Sequence, residues 1–264
     1  MKIAAWNVNS INARFAHLAR WAEAFQPDVI LLQELKCANE GFPHLEVQAL
    51  GYHAAIYGQK SYNGVAILTR HPPLAVRRGI PGFADDHSRY IEADLAEGVT
   101  VASIYVPNGA EVGSDKFSYK LAFYAALADY VATVQAREVP YLLGGDFNVC
   151  AENIDVYDPE KWRGRIHFSL PERQALRRLL HLGLVDTFRA LHPGLQRYSW
   201  WDYREGRFDR DEGLRIDYML ATAQAADRIL AAGIDPTPRG WEKPSDHTPV
   251  WIEIRSSRLC NSQL

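Results

Sequence analysis

Tyr141-Leu142-Leu143-Gly144-Gly145-Asp146-Phe147-Asn148 is an apolar run closed by two glycines and a pair of polar residues. It reads as a buried strand with a carboxylate placed where the strand stops. The glycines permit close backbone approach, and polar residues at i and i+2 face the same way if the chain stays extended. An Asx-turn ending an ordinary strand leaves the same residues. What separates the two readings is repetition. Asn7 follows Lys2-Ile3-Ala4-Ala5-Trp6, Glu34 follows Val29-Ile30-Leu31-Leu32-Gln33, and Asp246-His247 stands just before Val250-Trp251-Ile252. Four such clusters, drawn from the full length of the chain, describe strands that converge on one acidic site. Its oxygen ligands suit a hard cation, and its histidine is available for acid, base or electrostatic work.

Apolar, β-rich runs recur at 2–6, 28–33, 52–57, 64–69, 90–95, 99–106, 140–145, 215–220 and 248–254. Asn63-Gly64 reads as a tight turn opening Val65-Ala66-Ile67-Leu68. Helical spacing appears between some of the runs. Phe15, Leu18, Ala22 and Phe25 form one face, with Asn12 as its expected cap. Phe117, Leu121, Tyr124, Ala128 and Val131 form a second after Ser114. Leu176, Leu179 and Leu180 form a third after Pro171-Glu172, a good helix opening. Strands outnumber helices in both halves, whereas a single parallel sheet would want a helix between most strands. The pattern therefore predicts an α/β fold of two mixed sheets packed face to face, with helices outside. Residues 1–255 are expected to form one domain, followed by a polar tail at 256–264.

The 264 residues, 47% hydrophobic and 23% charged, describe an ordinary globular chain with a large core. The net charge of −3 does not advertise nucleic-acid binding. A local basic rim around an acidic site would still leave the total near neutral. Arginine far outnumbers lysine, which suits phosphate recognition but equally follows from genome composition. Three cysteines, Cys37, Cys150 and Cys260, have no metal-like spacing and point to a reducing compartment. No signal sequence or membrane-spanning run is apparent, so a cytoplasmic location and no membrane partner are expected.

Taken singly, Glu34 reads as a surface residue. Asp217, inside Arg215-Ile216-Asp217-Tyr218, is different: a buried aspartate needs a partner, and His247 is the natural one. Such a pair raises the histidine pKa and fixes its ring.

Eight segments in order across residues 2–254 resemble the exonuclease III and apurinic/apyrimidinic (AP) endonuclease family, within the wider group that includes deoxyribonuclease I. They are Trp6-Asn7-Val8-Asn9-Ser10-Ile11, Leu32-Gln33-Glu34-Leu35-Lys36, Tyr62-Asn63-Gly64-Val65-Ala66-Ile67, Tyr105-Val106-Pro107-Asn108-Gly109, Gly145-Asp146-Phe147-Asn148, Trp200-Trp201-Asp202-Tyr203-Arg204, Gly213-Leu214-Arg215-Ile216-Asp217-Tyr218 and Ser245-Asp246-His247-Thr248-Pro249-Val250. The resemblance implies a four-layer α/β sandwich and a Mg²⁺- or Mn²⁺-dependent DNA phosphodiesterase, expected to be a monomer. It makes Glu34 the principal metal ligand, with Asn7 and Asp246 nearby. It gives Asp146 the attacking water, with Asn148 helping to hold water and phosphate. His247, braced by Asp217, would stabilise charge on the phosphate, which Tyr105 and Asn108 would hydrogen-bond. Trp200, Leu214 and Ile216 match the family's pocket for a flipped-out, base-free sugar. Trp201 reads as core.

One position departs from the family pattern. In Ile166-His167-Phe168-Ser169-Leu170-Pro171-Glu172-Arg173, His167 stands where the family usually has a small residue, on a loop expected to overhang the site. A bulky imidazole there should obstruct continuous DNA yet accept a strand that ends or is nicked. The expected substrate is accordingly double-stranded DNA with 3′ ends or nicks, processed as a 3′→5′ exonuclease with weakened incision at abasic sites. If His167 swings outward, a fully active AP endonuclease is expected instead. A phosphatase for lipid or inositol phosphates would use the same core, but the segments around Tyr105 and Leu214 argue against it. A catalytically dead DNA-binding module should have lost Glu34, Asp146 or His247, and all three are present.

Overall fold

A computed structural model of the chain describes residues 1–255. The predicted tail at 256–264, with Cys260, lies outside the described residues. One six-stranded sheet contains β1 (Lys2–Asn7), β2 (Val29–Gln33), β3 (His53–Tyr57), β4 (Val65–Thr69), β11 (Ile229–Ile234) and β12 (Val250–Ile254). Its spatial order is β11-β12-β1-β2-β4-β3. The second contains β5 (Ala75–Arg78), β6 (Tyr90–Leu95), β7 (Val99–Tyr105), β8 (Tyr141–Asp146), β9 (Val185–Asp186) and β10 (Asp217–Ala221), in the order β5-β6-β7-β8-β10-β9. Helices α1 (Ile11–Phe25), α2 (His44–Ala49), α3 (Asp115–Gln135), α4 (Pro159–Trp162), α5 (Leu170–His181), α6 (Thr187–Leu191) and α7 (Ala223–Ala226) complete the elements used below.

Each sheet holds one parallel pair, β1/β2 and β7/β8, and all other pairings are antiparallel. A parallel pair needs a crossover. Helix α1 supplies it in the first sheet and α3 in the second, so the C-terminal ends of β1, β2, β7 and β8 can share one rim.

The period-two alternation of the strands builds the layers. Ile3, Ala5, Leu31 and Ile67 face Ile91, Val101, Leu142 and Met219 in the core between the sheets. Ala4, Trp6, Ile30 and Leu32 point the other way, onto Leu18, Trp21 and Ala22 of α1. On the outer face of the second sheet, Leu143 and Leu220 pack with Phe123, Leu127 and Leu176 from α3 and α5. Each such aliphatic side chain contributes about 1.5–3 kcal/mol when fully buried. The result is the expected four-layer sandwich. The two glycines of the opening segment allow close approach: a Cβ on Gly145, whose φ is 145°, would strike the Ile104 carbonyl of neighbouring β7, and one on Gly144 would strike Met219 of β10 and Leu31 of the facing sheet.

All nine expected strands form, with ends shifted by a residue or two. Strands β5, β9 and β11 and four short helices were not predicted. Asn12 is not a cap. Helix α1 starts at Ile11, its N-cap Ser10 has φ 86° and makes no side-chain cap bond, and Asn12 instead donates to the Gly41 carbonyl. Ser114 does cap α3, accepting the Phe117 N–H. Ser169 and Glu172 form a capping box on α5. Cys37 and Cys150 are buried and unpaired. Among the described residues, no helix is long and apolar enough to cross a membrane.

Candidate active site

The strand ends meet as the four clusters predict. Asn7, Glu34, Asp246 and His247 come from the first sheet, and Tyr105, Asp146, Asn148 and Asp217 from the second. Register aligns the second group, because Asp146 lies opposite both Tyr105 of β7 and Asp217 of β10. Glu34 adopts a left-handed backbone (φ 52°) just past β2. The Ser10 N–H donates to its carbonyl, and the next residue's N–H donates to the Gly64 carbonyl. Asn63 and Gly64, both at positive φ, end an irregular connection rather than form the expected tight turn, and their carbonyls brace the Glu34 loop by accepting the Lys36 and Leu35 N–H groups.

Glu34, Asp146 and His247 bring ligand atoms within 4.8 Å of one another. Asn7 Nδ2 donates to Glu34 Oε1 at 2.8 Å and to Asp146 Oδ2 at 2.9 Å. Its own oxygen turns away, accepting the Asn9 N–H, so Asn7 bridges the carboxylates as a donor. Asp246 sits one step outside this trio. It accepts Asn9 Nδ2 on one oxygen and Trp200 Nε1 on the other, each at 2.9 Å. Lys36 closes the ring of contacts, 2.9 Å from Glu34 Oε2 and 2.5 Å from Asn9 Oδ1. The Tyr105 hydroxyl lies against Glu34, and burial pushes its pKa well above the usual phenol value.

His247 is buried. Its Nδ1 is 2.9 Å from Asp217 Oδ2, and its Nε2 is 3.6 Å from Asp146 Oδ2. The Ser199 hydroxyl donates to Asp217 Oδ2 at 2.6 Å, aligning the carboxylate. Burial alone would discharge the ring, but the negative charges of Asp217 and Asp146 overcome it, and the pKa is raised to about 10. A ring charged in this way has a proton on each nitrogen and acts as a donor. Asp146 moves upward as well: burial dominates, opposed by His247 and reinforced by Asp217 and Glu34. A carboxylate held this way is a competent proton acceptor near neutrality. The donor set also fits a hard divalent cation, since Glu34 and Asp146 turn charged oxygens toward one point.

The Asp146-Phe147-Asn148 segment is not extended. Asp146 Oδ1 accepts the Asn148 N–H at 2.9 Å, and Asn148 has φ 54°. The Asx-turn is thus real and is itself the device that presents the site. Asn148 Nδ2 donates to the Val106 carbonyl, and Asn108 Nδ2 lies 3.4 Å from both Asn148 Oδ1 and His167 Nε2.

His167 faces inward rather than swinging outward. It is 7% exposed, with φ 70°. Its Nδ1 donates to the Asn148 carbonyl at 2.7 Å. The ring lies between Trp162 and Trp200, at centroid distances of 6.5 and 6.3 Å. Burial, with Lys120 nearby, lowers its pKa to about 3, so it stays neutral. Leu214 and Ile216 are fully buried in one cluster with Cys150, Val156 and Phe168, and Trp162 and Trp200 pack against it. Trp201 is core, as expected, at 2% exposure. Arg215, buried between Asp155 and Asp186 at 2.7 Å from each, fixes the segment that carries these residues. Ser199, Asn9 and Lys36 were not singled out from sequence. Asn9 and Lys36 lie within recognised segments, whereas nothing local marks Ser199.

The fold and the site define a phosphoester hydrolase built on two sheets, with a carboxylate–imidazolium centre at their common rim. The endonuclease/exonuclease/phosphatase family matches residues 4–247, and the chain belongs to it, as a member of its DNA-repair exonuclease and AP endonuclease group of divalent-metal-dependent nucleases. Exodeoxyribonuclease III of Haemophilus influenzae is 39% identical, covering 97% of this chain and all of that one. The 3′ phosphatase NExo from Neisseria, solved with a product DNA hairpin, is 41% identical with a TM-score of 0.94, covering 97% of this chain and 99% of that one. An AP endonuclease from Archaeoglobus fulgidus is 36% identical with a TM-score of 0.92, covering 96% and 99%.

Proposed function

We propose that residues 1–255 act as a monomeric, Mg²⁺- or Mn²⁺-dependent nuclease that processes 3′ ends and nicks in duplex DNA and incises internal abasic sites weakly. The observation that carries the preference is the His167 ring seated beside Trp162 and Trp200, the two rings that pack against Leu214 and Ile216. An internal abasic sugar would have to flip into that space, whereas a frayed 3′ end need not. Kinship with a protein described as a 3′ phosphatase supports the reading.

Glu34 and Asp146 would hold the cation, with Asn7 fixing their carboxylates and Asp246 placing Asn9 and Trp200 beside them. A cation held there would supply charge neutralisation at the phosphate. Asp146 accepts a proton from the attacking water, and Asn148 orients water and phosphate. His247 directs its Nε2–H at the phosphate oxygens and offsets charge as it develops, which requires donors positioned in advance. Tyr105 and Asn108 hydrogen-bond the same phosphate.

The test compares a nicked duplex with one carrying an internal abasic analogue, in Mg²⁺, with EDTA as a control that should silence both. Strong cleavage at the nick and weak abasic incision are expected. His167→Gly should raise abasic incision by roughly tenfold to a hundredfold, the scale on which a pocket responds to gained space. Glycine also suits the left-handed backbone at 167. No gain, or efficient abasic incision by the unaltered protein, would make it an ordinary AP endonuclease.

A further inference from the structure

We propose that the buried pair Lys120–Glu172 is a positioning device that holds Asn108, Asn148 and His167 in their working places. Neither side chain is exposed at all, and neither belongs to the catalytic cluster. Lys120, on the inner face of α3, spends all three ammonium donors on three acceptors. These are the Asn108 carbonyl at 3.0 Å, the Asn148 carbonyl at 2.8 Å, and Glu172 Oε1. Its stem supports the same loop, since a Cβ on Gly109 would meet Lys120 Cδ at 2.9 Å. Glu172, in the first turn of α5, is used as fully. Oε1 also accepts the His167 N–H at 3.1 Å, and Oε2 accepts the N–H and hydroxyl of Ser169.

One ion pair therefore joins three loops that reach the site from different parts of the chain: 106–109, 147–149 and 166–169. A buried ion pair is weak evidence for stability, because apolar or neutral replacements of similar shape often serve as well. What a neutral replacement does not reproduce is the three-way fixing of carbonyls by one ammonium. The backbone at His167 shows the consequence. A non-glycine residue at φ 70° persists only where its surroundings over-determine it. Here two bonds do so, its N–H to Glu172 and its Nδ1 to the carbonyl that Lys120 also holds. Without the pair, 167 can relax, its ring can leave the space beside Trp200, and the Asn108 and Asn148 amides lose their fixed separation.

The His167 limb of this inference rests on the function proposed above; the Asn108 and Asn148 limb does not. The experiment uses the full chain in Mg²⁺ and the two duplexes already described, with kcat and KM separated and melting curves recorded. Lys120→Met/Glu172→Gln removes both charges while keeping side-chain size. Its kcat at the nick should fall roughly tenfold to a hundredfold with KM little changed, as expected when reacting groups are misplaced by about an ångström. Its ratio of abasic to nick cleavage should rise at least severalfold. Should the double variant not fold, Glu172→Gln alone is read by the same two measures. A folded variant with wild-type kcat and ratio, or with a change confined to KM, overturns the proposal. His167→Gly run in parallel separates the two ideas. If it leaves the ratio unmoved, the functional reading fails, and the positioning role is judged on kcat alone.

Discussion

Asp146→Asn should lower cleavage of both duplexes by roughly a hundredfold to ten-thousandfold, the range lost with a general base, while leaving the protein folded. The side chain keeps its shape, and one oxygen still accepts the Asn148 N–H that closes the turn. What disappears is the charge and the basic oxygen facing Asn7 and His247. Asp146 is 1% exposed among other carboxylates, so neutralising it removes a desolvated charge instead of creating one. The melting temperature, measured in EDTA to exclude metal linkage, should accordingly stay close to that of the unaltered chain. Glu34→Gln should behave differently. Its loss should appear as a weaker affinity for the divalent metal that added metal partly offsets, because Glu34 is the more exposed carboxylate and pairs with Lys36. An Asp146→Asn protein that folds and keeps its rate within tenfold would remove Asp146 from the proton-transfer role.

Most of this site was legible in the sequence, because strand ends announce themselves. An apolar run that stops on a polar residue says where it stops: β1, β2 and β8 end at the rim on Asn7, Glu34 and Asp146, and β12, antiparallel to β1, starts there after Asp246-His247. The missed strands are those without that contrast. Ile229-Leu230-Ala231-Ala232-Gly233-Ile234 forms the bulged edge strand β11, whose small and mostly half-buried residues carry no clear alternation. Strand β9 has two residues and survives only by pairing with β10. Asn12 is not the cap because the unusual backbone at Asn9 and Ser10, both at positive φ, starts the helix two residues earlier than a cap at Asn12 would. Lys120 and Glu172 escaped for a more general reason. A lysine in a helix and a glutamate in a first turn read as solvent-facing, and only tertiary packing reveals that both are enclosed. His167 was recognised as an odd residue in its place, but its direction was not readable. That direction depends on a left-handed backbone held from two other segments.

The second large effect belongs to His247. His247→Gln should cost roughly a hundredfold to a thousandfold in kcat, as removal of a preorganised donor to a developing oxyanion does, with a smaller change in KM. Asp217→Asn should cost less at low pH and more at high pH. In the unaltered chain the raised pKa of about 10 keeps the imidazolium charged across the neutral range. The largest single opposition to burial comes from Asp217, whose oxygens lie 2.9 and 3.1 Å from Nδ1. Asparagine retains an acceptor but not the charge, so the histidine pKa should drop. The charged ring is the active form, so lowering its pKa moves the alkaline limb of the rate profile downward. The variant's rate should therefore decline as pH rises through the neutral range, where the unaltered protein holds steady. The double variant should be little worse than His247→Gln alone, since two residues acting as one unit do not add. An Asp217→Asn protein with an unshifted alkaline limb would mean that Asp146, 3.6 Å from Nε2, suffices to keep the ring charged. Asp217 would then merely orient the imidazole, its carboxylate held in line by Ser199.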